Sequence, residues 1–121
     1  NPLARAKGLG SAKDGTNHWW HQRLSAIALL LMTPWFVILM VGLIGADQER
    51  VRAVLSQPLT AAVLTAFVLS LFWHARLGLQ VVIEDYVHGG AELLLQVIVK
   101  FAFAIAAIAS LLAIGRIVFT A

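Results

Sequence analysis

With 121 residues, 60% of them hydrophobic and 12% charged, the chain carries about half the charged share of an ordinary soluble domain. That balance excludes a water-exposed globule and calls for lipid as the solvent. The lack of cysteine excludes a disulfide framework, an iron–sulfur centre or a thiolate metal site made by these residues. The net charge of +3 comes from scattered basic residues that form no patch able to track phosphates, so charge sorting across a membrane is the reading and no nucleic-acid partner is expected.

The segment from Asn1 to Asn17 is polar, and the apolar run after it exceeds the about 7–15 residues of a signal-peptide core, so no secretory signal is expected. Three apolar stretches follow, each near the roughly 20 residues that a membrane helix needs. The first runs from Leu24 to Ala46 without a charge, the second from Ala53 to Trp73, and the third from Leu93 to Ala121, interrupted by Lys100 and Arg116. The expected fold is therefore an all-α membrane protein of three transmembrane helices, about 22–46, 56–86 and 91–119, in a single domain over 1–121. Pro34 falls inside the first helix and is expected to kink it. Asp47, Gln48, Glu49, Arg50 and Arg52 read as a loop, Pro58 as the first position of the second helix, and Gly89-Gly90 as the turn after it. Arg5, Lys7, Lys13 and Arg23 precede the first span, against Arg50 and Arg52 beside two acids in the first loop. That asymmetry puts the N-terminus on the cytoplasmic or matrix side. Ala102, Ala106 and Ser110, with Ala109 and Ala113, give the third helix small residues four apart, which is either ordinary membrane composition or a packing face.

Polar groups at membrane depth are costly and carry the functional information. His74 follows the second apolar run while the helix continues. A neutral imidazole there serves either as a haem ligand or as the partner of a neighbouring helix. Gly78, one turn on, is expected to leave room for a flat ring system. Asp85 lies 11 residues after His74, close to three turns and about 16 Å further on nearly the same face. Beside it, Tyr86 offers a phenol that could donate to a quinone carbonyl; an interfacial anchor with solvated acids is the plainer reading. Arg76 points to a different face from His74 and reads as a snorkelling cation or the partner of an acid, with a haem-propionate role as the alternative; Lys100 reads as a snorkelling cation. Arg23, at the mouth of the first span, serves either as an interfacial anchor or as a fork for a carboxylate such as a haem propionate. His18, Trp19, Trp20 and His21 read as an interfacial belt, with a ligand role as the alternative for the two histidines. Arg116 marks the opposite interface, and His88 and Glu92 read as loop residues.

The run His74-Ala75-Arg76-Leu77-Gly78, followed by Glu84-Asp85-Tyr86-Val87, resembles the small hydrophobic membrane anchor of succinate dehydrogenase (respiratory complex II). Arg23-Leu24-Ser25-Ala26, an arginine followed closely by a small hydroxyl residue, adds a weaker match. The resemblance implies half of a heterodimeric cytochrome b anchor bundle. In it His74 would be one axial ligand of a b-type haem, with the second from the other anchor chain, the cytochrome b subunit. Tyr86 would bond a ubiquinone carbonyl, Asp85 would support that site and its protons, and Arg23 would sit near the haem propionates. It also implies an iron–sulfur subunit and a flavoprotein subunit as partners. The implied location is the bacterial inner membrane, or alternatively the mitochondrial inner membrane. A fumarate reductase anchor and a haem-free structural subunit are the competing expectations.

Overall fold

The computed structural model describes residues 9–120, and they form four helices. Arg5 and Lys7, part of the orientation argument, lie outside the described residues. Helix α1 is Leu9–Gly42, α2 is Gln48–Leu55, α3 is Pro58–Tyr86 and α4 is Gly90–Thr120. Three segments are long and apolar enough to cross a membrane: Asn17–Gly42, Pro58–Tyr86 and Gly90–Thr120. The three expected spans are therefore present.

Two differences from the expectation have physical causes. Helix α1 begins well before residue 22, because the polar turns ahead of Leu24 extend the helix beyond its apolar stretch; hydropathy marks where lipid ends, not where a helix does. The expected charged loop is instead the short helix α2. Asp47 caps it, its Oδ1 accepting from the Arg50 N–H at 2.8 Å, with Glu49 in the first turn and Arg52 in the last. Both charges suit the helix dipole.

Pro58 opens α3 as expected. The helix ends at Tyr86, where the Val87 N–H still reaches the Ile83 carbonyl at 2.9 Å. Gly89 then turns the chain with φ of 75°, a left-handed conformation that glycine adopts without a Cβ penalty.

The three long helices stand side by side with α3 in the middle. Helix α1 packs on one flank of α3 and α4 on the other, while α2 touches α3 and α4. Both long pairings are antiparallel. Across the first, Gln22 faces Gly78, Ser25 faces His74, and Phe36 stacks on Phe67 at 4.5 Å. Across the second, Gln96 Nε2 donates to the Gln80 carbonyl at 3.3 Å and Phe103 meets Phe72 edge-on at 6.0 Å. The central position of α3 explains why the buried apolar residues Ala61, Leu64, Phe67, Leu77 and Ile83 all belong to it. In lipid these contacts are held by close packing, since an apolar side chain gains little by leaving hydrocarbon.

Candidate functional site

The site is built where α1 enters the bundle and α3 leaves it. On α1, His18, Gln22 and Ser25 recur at helical spacing along one face. Ser25, 6% exposed, is the buried polar residue among those described. Its Oγ lies 2.9 Å from the Gln22 carbonyl oxygen and 3.0 Å from His74 Nδ1. A hydroxyl has one proton, and a carbonyl can only accept. Both contacts are hydrogen bonds together only if Oγ donates to Gln22 and the ring Nδ1–H donates to Oγ. The imidazole is then the Nδ1-protonated tautomer, with the Nε2 lone pair free. A second hydrogen-bonded partner of this kind orients a ligating histidine and raises its basicity.

The half-buried ring borders an open groove of about 400 Å³, lined otherwise by Ala26, Leu29, Leu30, Thr33 and Pro34 of α1. Pro34 lacks an N–H, so the Leu30 carbonyl loses its helical donor at this groove. Gly78 behaves differently from the expectation. A Cβ there would meet Gln22 Nε2 at 3.9 Å, so the glycine faces the α1 side chain. The antiparallel register puts Gln22 opposite it.

Asp85 and Tyr86 stand at the far end of the same helix, both exposed, Tyr86 at 81%. Glu84 accepts from Gln80 Nε2 at 3.1 Å, whereas neither Asp85 nor Tyr86 makes a side-chain hydrogen bond among the described residues. Arg23 is exposed and its guanidinium lies 5.3 Å from the Trp19 ring centre. The structure thus brings Ser25 to His74 and, among the described residues, gives Arg23, Asp85 and Tyr86 no hydrogen-bonding side chain. The His21 ring packs on Trp73 at 5.7 Å, and Trp19 meets Trp20 edge-on at 5.2 Å. His18 Nε2 and Gln22 Oε1 are buried without a hydrogen-bond partner among the described residues. Sequence reasoning passes over Gln22 and values Ser25 only for its place in a motif. The signal available is a hydroxyl and an amide three apart on a face otherwise expected to be apolar.

Comparison with known proteins gives this geometry its context. A family described as the succinate dehydrogenase/fumarate reductase transmembrane subunit matches residues 1–114. The succinate dehydrogenase hydrophobic membrane anchor subunit of Paracoccus denitrificans is 37% identical over 117 residues, covering 94% of this chain and 91% of the relative. The protein of the same name from Rickettsia bellii is 38% identical over 85 residues, 70% of this chain and 68% of the relative. The succinate dehydrogenase membrane anchor subunit of Reclinomonas americana is 36% identical over 80 residues, 64% of this chain and 67% of the relative.

Proposed function

The chain belongs to the succinate dehydrogenase/fumarate reductase transmembrane subunit family, and we propose that it anchors a succinate:ubiquinone oxidoreductase while supplying half of a b-type haem site and part of a quinone site. The observation that carries this reading is the Ser25–His74 pair. It presents an imidazole with a free Nε2 beside a groove that one chain leaves open. An imidazole whose only partner is a neighbouring helix would need no such opening. When bound, the haem supplies a one-electron redox centre. Ser25 holds the ring orientation and tautomer; His74 Nε2 offers the lone pair; Ala26, Leu29 and Leu30 give an apolar wall. The cytochrome b anchor partner, seated over the groove, would hold the haem from its other side. Arg23, whose guanidinium rests on the Trp19 ring, would offer a propionate a forked pair of hydrogen bonds.

At the quinone end, the Tyr86 hydroxyl donates to a carbonyl oxygen, and that bond strengthens as the oxygen gains negative charge. Asp85, free of other side-chain partners among the described residues, takes up and delivers protons at the same place. The remaining contacts come from the cytochrome b anchor partner and the iron–sulfur subunit, while the flavoprotein subunit oxidises succinate. On this reading the N-terminus lies on the cytoplasmic side of a bacterial inner membrane, where the soluble subunits dock.

The test is an absorption spectrum of the purified complex with a quinone-reduction assay. A low-spin b-type band present in the native complex and lost in His74→Ala is expected. Tyr86→Phe should lower quinone reduction and leave succinate oxidation with a soluble artificial acceptor intact. A native complex with no haem band overturns the haem reading, and equal loss of both activities in Tyr86→Phe overturns the quinone reading.

A further inference from the structure

On the flank of α3 away from α1, a second cleft of about 340 Å³ opens between α3 and α4. It is independent of the haem and quinone reading. Its walls are Leu69, Phe72, Phe103, Ala104 and Ala107, with Trp73, and at one end stand Arg76 and Lys100. No acid lines it among the described residues. The Arg76 guanidinium rests on the Trp73 ring, 4.7 Å from its centre, which fixes the cation at the cleft without neutralising it.

The heights of these groups are set by helix geometry. Arg76 lies ten residues before the end of α3 and Lys100 ten residues after the start of α4, so both sit about 15 Å from the connecting turn. From Lys100 to Arg116 is sixteen residues, about 24 Å. With long side chains reaching outward at both ends, that length matches the roughly 30 Å hydrocarbon layer. Arg76 and Lys100 therefore mark the headgroup level on one side. The apolar wall runs from them towards the bilayer centre, down to Leu69 and Ala107 one to two turns deeper.

A cleft with two cations at headgroup height and an apolar wall below has the polarity of a phospholipid. A neutral occupant would leave both charges unmatched, whereas the single negative charge of a phosphodiester with no headgroup cation can be shared between them at the height where membranes carry phosphate. We propose that this cleft binds one anionic phospholipid, its phosphate between Arg76 and Lys100 and one acyl chain along Phe72, Phe103 and Ala104. The arrangement seats the lipid across the joint between α3 and α4, so it braces the outer helix against the central one.

The experiment is native mass spectrometry of the intact complex, delipidated and then returned to mixed micelles with phosphatidylglycerol, with phosphatidylcholine, or with inorganic phosphate alone. Phosphatidylglycerol should be retained in preference to phosphatidylcholine, and inorganic phosphate should give no adduct. Arg76→Gln and Lys100→Gln should each weaken retention about fivefold, the factor that about 1 kcal/mol per basic residue converts to. Ala104→Trp, which fills the apolar wall and keeps both cations, should abolish it. Retention unchanged in all three variants, equal retention of the two lipids, a phosphate adduct without lipid, or a cross-link placing another protein chain over Ala104 would each overturn the proposal.

Discussion

Ser25→Val, read against Ser25→Thr, tests the central claim most directly, because the two replacements share one shape and only valine lacks the capacity to hydrogen-bond. Ser25 is 6% exposed, so water does not readily replace its hydroxyl. The His74 Nδ1–H, held at 3.0 Å, is then left without an acceptor. An unsatisfied buried donor costs about 1–3 kcal/mol, which corresponds to roughly 5- to 150-fold in an equilibrium constant. Loss of a partner behind a metal-ligating histidine lowers metal affinity by about 10–100-fold, and the two ranges overlap. Haem transfer from the purified complex to an excess of apomyoglobin should therefore run at least about tenfold further in Ser25→Val. Ser25→Thr, the same shape as valine with the hydroxyl restored, should stay close to native. The potential carries a sign as well. Without an acceptor at Nδ1–H the imidazole is a poorer donor at Nε2. The ferric form, which depends more on that donation, loses more, so the haem midpoint should rise by tens of millivolts, at about 59 mV per tenfold change for one electron. A native-like transfer and midpoint in Ser25→Val would refute the argument that this bond sets the tautomer. Equal losses in the threonine and valine variants would assign the effect to packing.

Two further outcomes probe the scaffold. Leu77, 3% exposed on α3, should cost about 1–2 kcal/mol as Leu77→Ala in unfolding of the detergent-solubilised complex. That is below the roughly 2–5 kcal/mol of a water-soluble core, because in lipid only the cavity term survives. The exposed Leu112 changed to alanine should cost almost nothing, and a matching cost there would sink the packing argument. Asp47→Ala removes the cap on α2, worth about 1 kcal/mol, so amide exchange in α2 should quicken about fivefold while that of α3 stays put; uniform quickening would mean that the cap stabilises more than its own helix.

The sequence was most legible where a single physical scale decides the outcome. Three long apolar runs admit little but three spans, and Pro58 and Gly89 sit where their backbone chemistry requires. Helix α2 was not legible as a helix. Eight residues are too few to be stable alone, and its charges outweighed a capping pattern that is visible at Asp47, Glu49 and Arg52 once packing against α3 and α4 is known. The Ser25–His74 bond joins residues 49 apart. It depends on the antiparallel register of α1 against α3, which no local pattern encodes, and the same register explains why the space expected at Gly78 faces Gln22 instead.

That register also explains why α3 divides into unlike halves. Its first half contributes Ala61, Leu64 and Phe67 to the interior, with Phe67 locked by Phe36 and the Thr65 hydroxyl donating to the Ala61 carbonyl within the helix. The second half alternates burial with chemistry: His74 towards α1, Arg76 towards the α4 cleft, Leu77 and Ile83 inward, Asp85 and Tyr86 outward. A helix of 29 residues is about 43 Å long, well beyond the roughly 30 Å hydrocarbon layer, so its last turns leave lipid. Groups that would be prohibitive at the bilayer centre can therefore be stacked at rising heights on one rigid rod. Exposure of Leu30, Leu112 or Phe119 carries no functional information in such a chain, since lipid covers it. A half-buried imidazole, two cations and an exposed phenol towards one end do carry it, because each calls for a partner that something else supplies.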